Sequence, residues 1–536
     1  MKRGALFLVL VLIASTLCVE TEDADAEFAD FVGKHVAGME PLFENSSTAY
    51  WNACLTGRDE DYQRSADIQL EIKKIYSSRE DFEYVREVKD KLRDPLLRRQ
   101  AEILYMSYLP NQIPEDILQQ ITEKSTGLEQ KFNTFRGTMD GREVTMNEIN
   151  DILSGSKDSG MRKKAWEAQK QAGQAVSADL IELVRLRNEA ARLVGFDNYF
   201  ELSLEMQELR EDELVSILSE LDSLTSEPFR EIKDLIDGEL KKKYGVSRIM
   251  PWHYSDPFFQ EVPRFYDTDL DGLYRGRDVL EIGRDFYSEM GFDLTPILEN
   301  SSLYEAPGKY PHAYTIDMDR RGDVRVMMNV RNNSYWMGTT LHESGHAVYA
   351  KNIDPDLPFL LRDAAHTLTT EGIALFFERM TYKPEWLETH VGAELDTEDE
   401  EELSLLLRAK ELIFARWVLV MFNFEREMYR NPDQDLNRLW WSLVRKYQMI
   451  DYSRDMPDYA SKIHLVSSPV YYHNYLLGEL FASQLEKTTG GEISRETGDL
   501  LRDEVFAPGA KHRWDELVEM VTGEPLSAKA FAEQFC

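Results

Sequence analysis

Helical periodicity runs through nearly all of this 536-residue chain, and its clearest interruption is a pair of β-like segments between residues 312 and 330. HAYTIDM (312–318) and DVRVMMNV (323–330) alternate in side-chain character and are separated by DRRG, which suggests a hairpin. The combination predicts a mainly α fold carrying one small sheet. The next segment, NNSYWMGTTLHESGHAVYAKNIDP, reads as a helix, with Asn or Ser near its start and Pro355 soon after its end. The hairpin therefore delivers the chain straight into its most chemically loaded stretch, LHESGHAVY at 341–349.

The remaining segments extend the helical pattern. TLTTEGIALFFERM (367–380) predicts a further helix with threonines available to cap it, and ELDTEDEEE (394–402) reads as a solvated acidic loop or helix start. Residues 27–135 contain several charged helices, such as DIQLEIKKIY and DPLLRRQAEILYMSYL, expected to form an N-terminal lid or lobe. Residues 136–536 form the region that carries the chemistry. No internal repeat and no Pro/Gly/Ser-rich linker divides the two, so one continuous architecture is expected.

The formal net charge is −35 and the pI about 4.7, the wrong sign for a nucleic-acid or anionic-lipid partner. Acidity of this kind favours solubility or a salty habitat. The chain begins MKRGALFLVLVLIASTLC, two basic residues and an apolar run too short to span a bilayer comfortably, followed by acidic VETEDADAEF. This is the pattern of a secretory signal peptide, with cleavage after Cys18 or as late as Ala26, so the working site is expected outside the cytoplasm, secreted or at the periplasm or cell surface. A lipid anchor on Cys18 is the lesser reading, because Leu17 is bulkier than such sites prefer. Cleavage after Cys18 leaves Cys54 and Cys536, enough for one long-range disulfide and too few for a disulfide-built fold. Asn45, Asn300 and Asn332 fit the glycosylation pattern.

On a helix, His342 and His346 lie one turn apart on one face, about 5–6 Å between Cβ atoms. Two imidazoles so spaced can hold one Zn²⁺, at about 2.0–2.1 Å each. Glu343 then stands next to the first ligand, close enough to approach a water on the metal. Gly345, without a Cβ, would let another backbone or the substrate come close, or else serves simple helix–helix packing. A third ligand is required, and Glu371 in TTEG, twenty-five residues after His346, is the candidate, against the plainer reading of a solvated acid.

HESGHAVY followed by TTEGIALFFE resembles the gluzincin metallopeptidases, in particular the angiotensin-converting enzyme family and its relatives of the thimet oligopeptidase and oligoendopeptidase F group. RNEAARLVGFDNYFEL, PHAYTIDM, LWWSLVRKYQ, SKIHLVSSPVYYHNYLLGEL and RWDELVEMVTGEPLSAKAF have counterparts there in the same order, so the likeness runs over roughly residues 140–535. The resemblance implies a helical two-lobed ellipsoid with a deep central channel, one Zn²⁺ per chain on His342, His346 and Glu371, and Glu343 as general base and acid. It implies that His464 and Tyr475 stabilise the tetrahedral intermediate, with Tyr472 an alternative source of the hydroxyl. It also implies that His312 and Ala313 pair with substrate by strand addition, and that Lys462 with Tyr471 or Tyr472 clasps a C-terminal carboxylate. The partners so implied are short peptides, with no nucleic acid and no membrane span after signal removal, and the sequence leaves oligomeric state open.

Three departures qualify that picture. On the resemblance, Tyr254 in MPWHYSDPFF stands in place of the glutamine of the family's carboxylate clasp. Val444 stands where a chloride-binding arginine is expected, and His473 or Asn474 replaces another, so strong chloride activation is not expected. The spacing from His464 to Tyr475 is one residue longer than in the converting enzymes, and the gap to Glu371 is nearer the thimet group. The resulting expectation is a peptidyl-dipeptidase, with an oligoendopeptidase acting on short peptides as the alternative. A catalytically dead peptide-binding protein on the same fold is the rival from another class.

Overall fold

The computed structural model describes the backbone of residues 3–266 and 268–535 and the side chains of residues 24–266 and 268–535. Cys18, the body of the apolar leader run and Cys536 thus lie outside the described side chains, and with Cys536 the expected long-range disulfide; Cys54 is buried and makes no disulfide among the described residues. No helix among the described residues is long and apolar enough to cross a membrane.

Helices dominate from Arg3–Thr56 to Lys529–Glu533, and the described strands form two antiparallel hairpins. Strands β1 (Gly137–Met139) and β2 (Arg142–Val144) make the first, which the sequence reading did not anticipate. Strands β3 (Tyr314–Asp317) and β4 (Val324–Met327) make the expected one, with Tyr314 opposite Met327 and Asp317 opposite Val324. On its other side β4 is bridged by Ser302, whereas the outer edge of β3 carries no strand among the described residues.

The N-terminal helices close a second core on the rest of the chain: Phe28, Phe82, Val85, Leu104 and Tyr108 pack with Ala190, Ala191 and Leu202. The end of the first helix also lies behind the β3–β4 hairpin, where Trp51 and Cys54 pack on Met318 and Met327. The Tyr310 amide donates to the Cys54 carbonyl at 2.8 Å, tying the two together.

Three helices build the centre. The motif helix, Ser334–Lys351, is capped by Asn333, whose side chain accepts from the Trp336 amide at 2.9 Å. The glutamate helix, Thr367–Glu378, is capped by His366 together with one of the threonines expected from sequence: the imidazole Nδ1 accepts from the Leu368 amide at 2.9 Å, and the Thr369 hydroxyl accepts from the His366 amide at 3.2 Å. The third is the tyrosine helix, Tyr472–Thr489. Glycines bring them together. A Cβ on Gly345 would stand 2.9 Å from Ala374 Cα, and one on Gly372 would stand 3.0 Å from the Gly478 carbonyl. Gly345 therefore serves helix packing, which resolves the two readings its sequence context allowed. Buried Arg379, directly after the glutamate helix, fastens the seam by donating to Glu479 at 2.6 Å and Glu486 at 3.0 Å on the tyrosine helix. The acidic run at 394–402 is a helix start: Asp396 caps the long helix Thr397–Arg430.

Candidate metal centre and cleft

The seam of small residues lets one turn of the motif helix face one turn of the glutamate helix. His342 Nε2 lies 3.2 Å from His346 Nε2, and the Glu371 Oε2 atom lies 3.7 Å from the first and 3.9 Å from the second. All three ligand atoms fall within 4.8 Å of one another. Two atoms each about 2.05 Å from a tetrahedral ion are about 3.3 Å apart, so the imidazole pair already has the spacing of a zinc site. The residues present fit the metal.

The far side of each ring is also determined. His342 Nδ1 is 2.9 Å from Glu378 Oε2, and His346 Nδ1 is 2.7 Å from the Thr370 hydroxyl. The Glu378 carboxylate accepts at His342 Nδ1 and the Thr370 hydroxyl is able to accept at His346 Nδ1, an arrangement that leaves both Nε2 atoms facing inward, as a metal requires. Glu378 in turn takes a hydrogen bond from Lys410 at 2.5 Å. Against the effect of burial, Lys410 and His342 hold the Glu378 carboxyl well below the usual range. Burial also opposes charge on His342, yet Glu378, Glu343 and Glu371 raise its pKa to about 9. The negative potential that holds a proton there would favour a dication. Glu378, Thr370 and Lys410 escaped the sequence reading, which followed the HExxH pattern and its third ligand only.

Glu343 is buried, and burial raises its pKa. Strand β3 reaches it directly: the Thr315 hydroxyl lies 2.8 Å from the Glu343 carbonyl and 2.9 Å from its Oε2. The hairpin thus touches the candidate base as well as flanking it. His312 is exposed and Ala313 half-buried, just before β3 and on the approach to its open edge.

His464 and the tyrosines converge from the other side. The His464 ring stacks near that of Tyr472, centroids 5.0 Å apart, and its buried Nδ1 has no hydrogen-bond partner among the described residues. Burial, with the Lys462 charge beside it, lowers its pKa to about 4, so it is neutral at pH 7. Tyr471 and Tyr475 pack together at 5.3 Å, and burial, with the Glu371 carboxylate adding to it, raises the pKa of both phenols. Tyr472 instead turns toward Lys462, whose Nζ lies 5.6 Å from its ring.

Lys462 is buried in an aromatic box of Phe258, Trp417 and Tyr472, and its Nζ donates to Gln260 Oε1 at 2.7 Å. Burial lowers its pKa to about 8, with Asp256 and Glu261 acting in the opposite sense. The expectation for Tyr254 is therefore corrected. Its hydroxyl donates to Asp237 at 3.0 Å, its ring stacks on Phe259 at 3.9 Å, and the side chain is fully buried. The glutamine beside Lys462 is Gln260, six residues further on, carried by a turn that Asp256 holds by accepting from the amides of Phe258, Gln260 and Glu261.

Comparison with known proteins identifies a family. The sequence profile described as angiotensin-converting enzyme, a peptidase family, matches residues 21–252 and 270–536. Carboxypeptidase 1 of Bacillus subtilis (strain 168) is 24% identical over 284 residues, which cover 46% of this chain and 55% of the relative. The match thus spans about half the length of that protein.

Proposed function

The chain belongs to the angiotensin-converting enzyme family of peptidases, and on that premise we propose that it is a zinc-dependent peptidase releasing dipeptides from the C-termini of short peptides. The observation that carries the zinc reading is the 3.2 Å pair of imidazole Nε2 atoms with Glu371 beside it. The name of the Bacillus subtilis relative is in keeping with cleavage from the C-terminus.

His342, His346 and Glu371 would hold the ion. Zinc bound there supplies Lewis acidity, which polarises a peptide carbonyl and acidifies water. The extended substrate lies along the open edge of β3 from His312 and Ala313 onward, bound by main-chain hydrogen bonds that demand no particular side chain. Glu343, oriented by Thr315, takes the proton of the attacking water and passes it to the leaving amine. Tyr475 donates to the developing oxyanion, and neutral His464 is available as a second donor; loss of one such donor typically costs about 10²–10³ in rate. Lys462, Gln260 and Tyr472 receive the C-terminal carboxylate, the lysine supplying the charge and the other two directional donors.

The test uses an N-terminally blocked peptide of eight residues and its C-terminally amidated twin, with Glu343→Gln as control and mass spectrometry to identify products. Sequential dipeptide loss from the free acid, sharply reduced by amidation and abolished in the control, is the expected result. Equal internal cleavage of both peptides would assign the protein to the oligoendopeptidase type. Binding without turnover would make it a peptide-binding protein.

A further inference from the structure

The segment that joins His464 to the tyrosine helix has little regular structure of its own, only the short helical turn His464–Ser467. Its backbone is held instead by side chains from distant parts of the chain, buried Arg187 and Glu425 and half-buried Gln207. Arg187, within the helix Ser159–Leu193, donates to the Leu465 carbonyl at 2.9 Å and the Val466 carbonyl at 2.6 Å. Glu425, on the long helix Thr397–Arg430, accepts from the Val470 amide at 2.8 Å. Gln207 donates to the Val470 carbonyl at 3.1 Å, while its own Oε1 accepts from Asn474 at 2.7 Å and lies 3.1 Å from His473 Nε2.

Val470 is the unusual residue in this segment. Its φ is +56°, a left-handed conformation that a β-branched side chain strongly resists. Backbone of this kind persists where the surroundings over-determine it. Here both polar groups of the one residue are fixed from opposite sides, the amide by Glu425 and the carbonyl by Gln207. The residues set by that turn are Tyr471 and Tyr472 directly after it and Tyr475 one helical turn on. Gln207 reaches the metal side as well: its backbone carbonyl accepts from His366 Nε2 at 2.6 Å, and His366 is the cap of the helix that carries Glu371.

Glu425 is a poor choice if stability alone is at issue. It is 2% exposed and makes no ion pair among the described residues; the nearby Arg187 spends its guanidinium on carbonyls and on the Tyr429 hydroxyl. A buried carboxyl with a single backbone partner is costly, and an apolar side chain would pack there at less expense.

Building on the peptidase reading, we propose that Glu425 and Gln207 are positioning residues: by gripping Val470 in its left-handed turn they set Tyr471 and Tyr475 against the His342, His346 and Glu371 cluster. Glu425 acts through its acceptor oxygen. Burial pushes its carboxyl up to about 8, so Gln, neutral and with an oxygen in the same place, is its conservative replacement.

The full chain is compared with Glu425→Leu, Glu425→Gln and Gln207→Met. Two quantities are read: kcat and KM on a blocked free-acid octapeptide, and amide hydrogen exchange over residues 465–474 and 334–351. In Glu425→Leu, kcat is expected to fall at least about tenfold with KM changed less than about threefold. Exchange over 465–474 should quicken at least about tenfold while the motif helix 334–351 stays protected. Glu425→Gln should stay within about threefold of the wild type in both quantities. Gln207→Met, at a half-buried position, should repeat the Glu425→Leu pattern and carries the test if Glu425→Leu does not fold. Wild-type kcat and exchange in both disruptive variants would overturn the proposal. So would equal losses in Glu425→Gln and Glu425→Leu, or faster exchange spread evenly over the chain, which marks a general stabiliser. If the wild-type protein cleaves nothing, the peptidase reading has failed, and the exchange measurement by itself decides whether Glu425 and Gln207 fix the turn.

Discussion

Gly345 and Ala374 meet backbone to backbone: a Cβ added to Gly345 would stand 2.9 Å from Ala374 Cα and 3.3 Å from its amide nitrogen. This contact sets the distance between the helix that bears the two histidines and the helix that bears Glu371. Gly345→Ala is therefore expected to separate the metal ligands. Overpacking of this kind costs about 1–3 kcal/mol, and the better helix propensity of alanine offsets up to about 1 kcal/mol of it. A net loss of roughly 1 kcal/mol should appear in denaturant unfolding. A drop of about tenfold in kcat should accompany it, since displacements near 1 Å cost about 100-fold. Unchanged kcat would mean that the ligands tolerate the shift.

Thr315 is the one described side chain that hydrogen-bonds the carboxylate of Glu343. Thr315→Val keeps the shape and removes the hydroxyl, so the candidate base loses its orienting donor while the hairpin remains. A lost hydrogen bond to a charged group is worth about 1.5–3 kcal/mol, which corresponds to a fall of about tenfold or more in kcat with little change in KM. Thr315→Ser should recover most of it. A fall in KM affinity with kcat intact would instead place the role of Thr315 in substrate binding.

Glu378 joins His342 to Lys410, and its loss is expected to be felt at both ends. Glu378→Gln keeps an acceptor for the imidazole but removes the charge facing Lys410. Changes to such outer partners typically weaken metal binding by about 10–100-fold, which competition with a chelator measures directly. Glu378→Ala should be worse in stability, because half-buried Lys410 loses its ion-pair partner, a loss of about 1 kcal/mol for a pair open to solvent. Zinc affinity equal to wild type in both variants would remove Glu378 from the metal centre.

The sequence was most legible where chemistry is local. One helical turn between His342 and His346 is a property of the helix itself, and the Asn333 and Asp396 caps and the β3–β4 hairpin are written in a few consecutive residues. What stayed hidden depends on tertiary approach. Nothing near Gly345 announces Ala374, and the partnership of Thr315 with Glu343 joins a strand to a helix twenty-eight residues later. Gln260 was missed for a related reason. The family resemblance points at Tyr254, but a turn organised by Asp256, with Phe259 at φ +52°, brings the later glutamine to Lys462. At the glutamate helix the threonine half of the cap, Thr369, is legible in sequence, while the His366 half is not, because a histidine that also serves Gln207 carries no local capping signal.

His253 should make the protein sensitive to acid in a defined window. It is 2% exposed, its Nδ1 accepts from the Met250 amide at 2.9 Å, and its Nε2 lies 2.7 Å from the Ser159 hydroxyl. Burial, with Arg162 nearby, lowers its pKa from 6.5 to about 4. Between those values the unfolded chain binds a proton that the folded chain refuses, so the contribution of His253 is complete above pH 6.5 and is lost as pH falls toward 4. His253→Asn retains an acceptor for Met250 and does not titrate. The stability difference between wild type and variant should therefore shrink with acidification by roughly 1 kcal/mol per pH unit. A pH-independent difference would show that His253 is protonated in the folded protein.

Gln260 and Lys462 offer the sharpest separation of cleavage modes, because their proposed ligand is a single carboxylate. With Nζ already 2.7 Å from Oε1, the pair presents a charge and an amide donor side by side, in a box whose walls are aromatic. Gln260→Ala removes one directional donor and leaves the charge. Loss of a hydrogen bond to a charged group is worth about 1.5–3 kcal/mol, so KM for a free-acid peptide should rise about tenfold or more. The same variant should treat the amidated peptide as wild type does, since that substrate presents no carboxylate. Lys462→Met should abolish the preference for the free acid altogether while leaving residual cleavage of the amide. If both variants lose activity on acid and amide to the same extent, the pair shapes the cleft without reading the C-terminus, and internal cleavage becomes the better description of the enzyme.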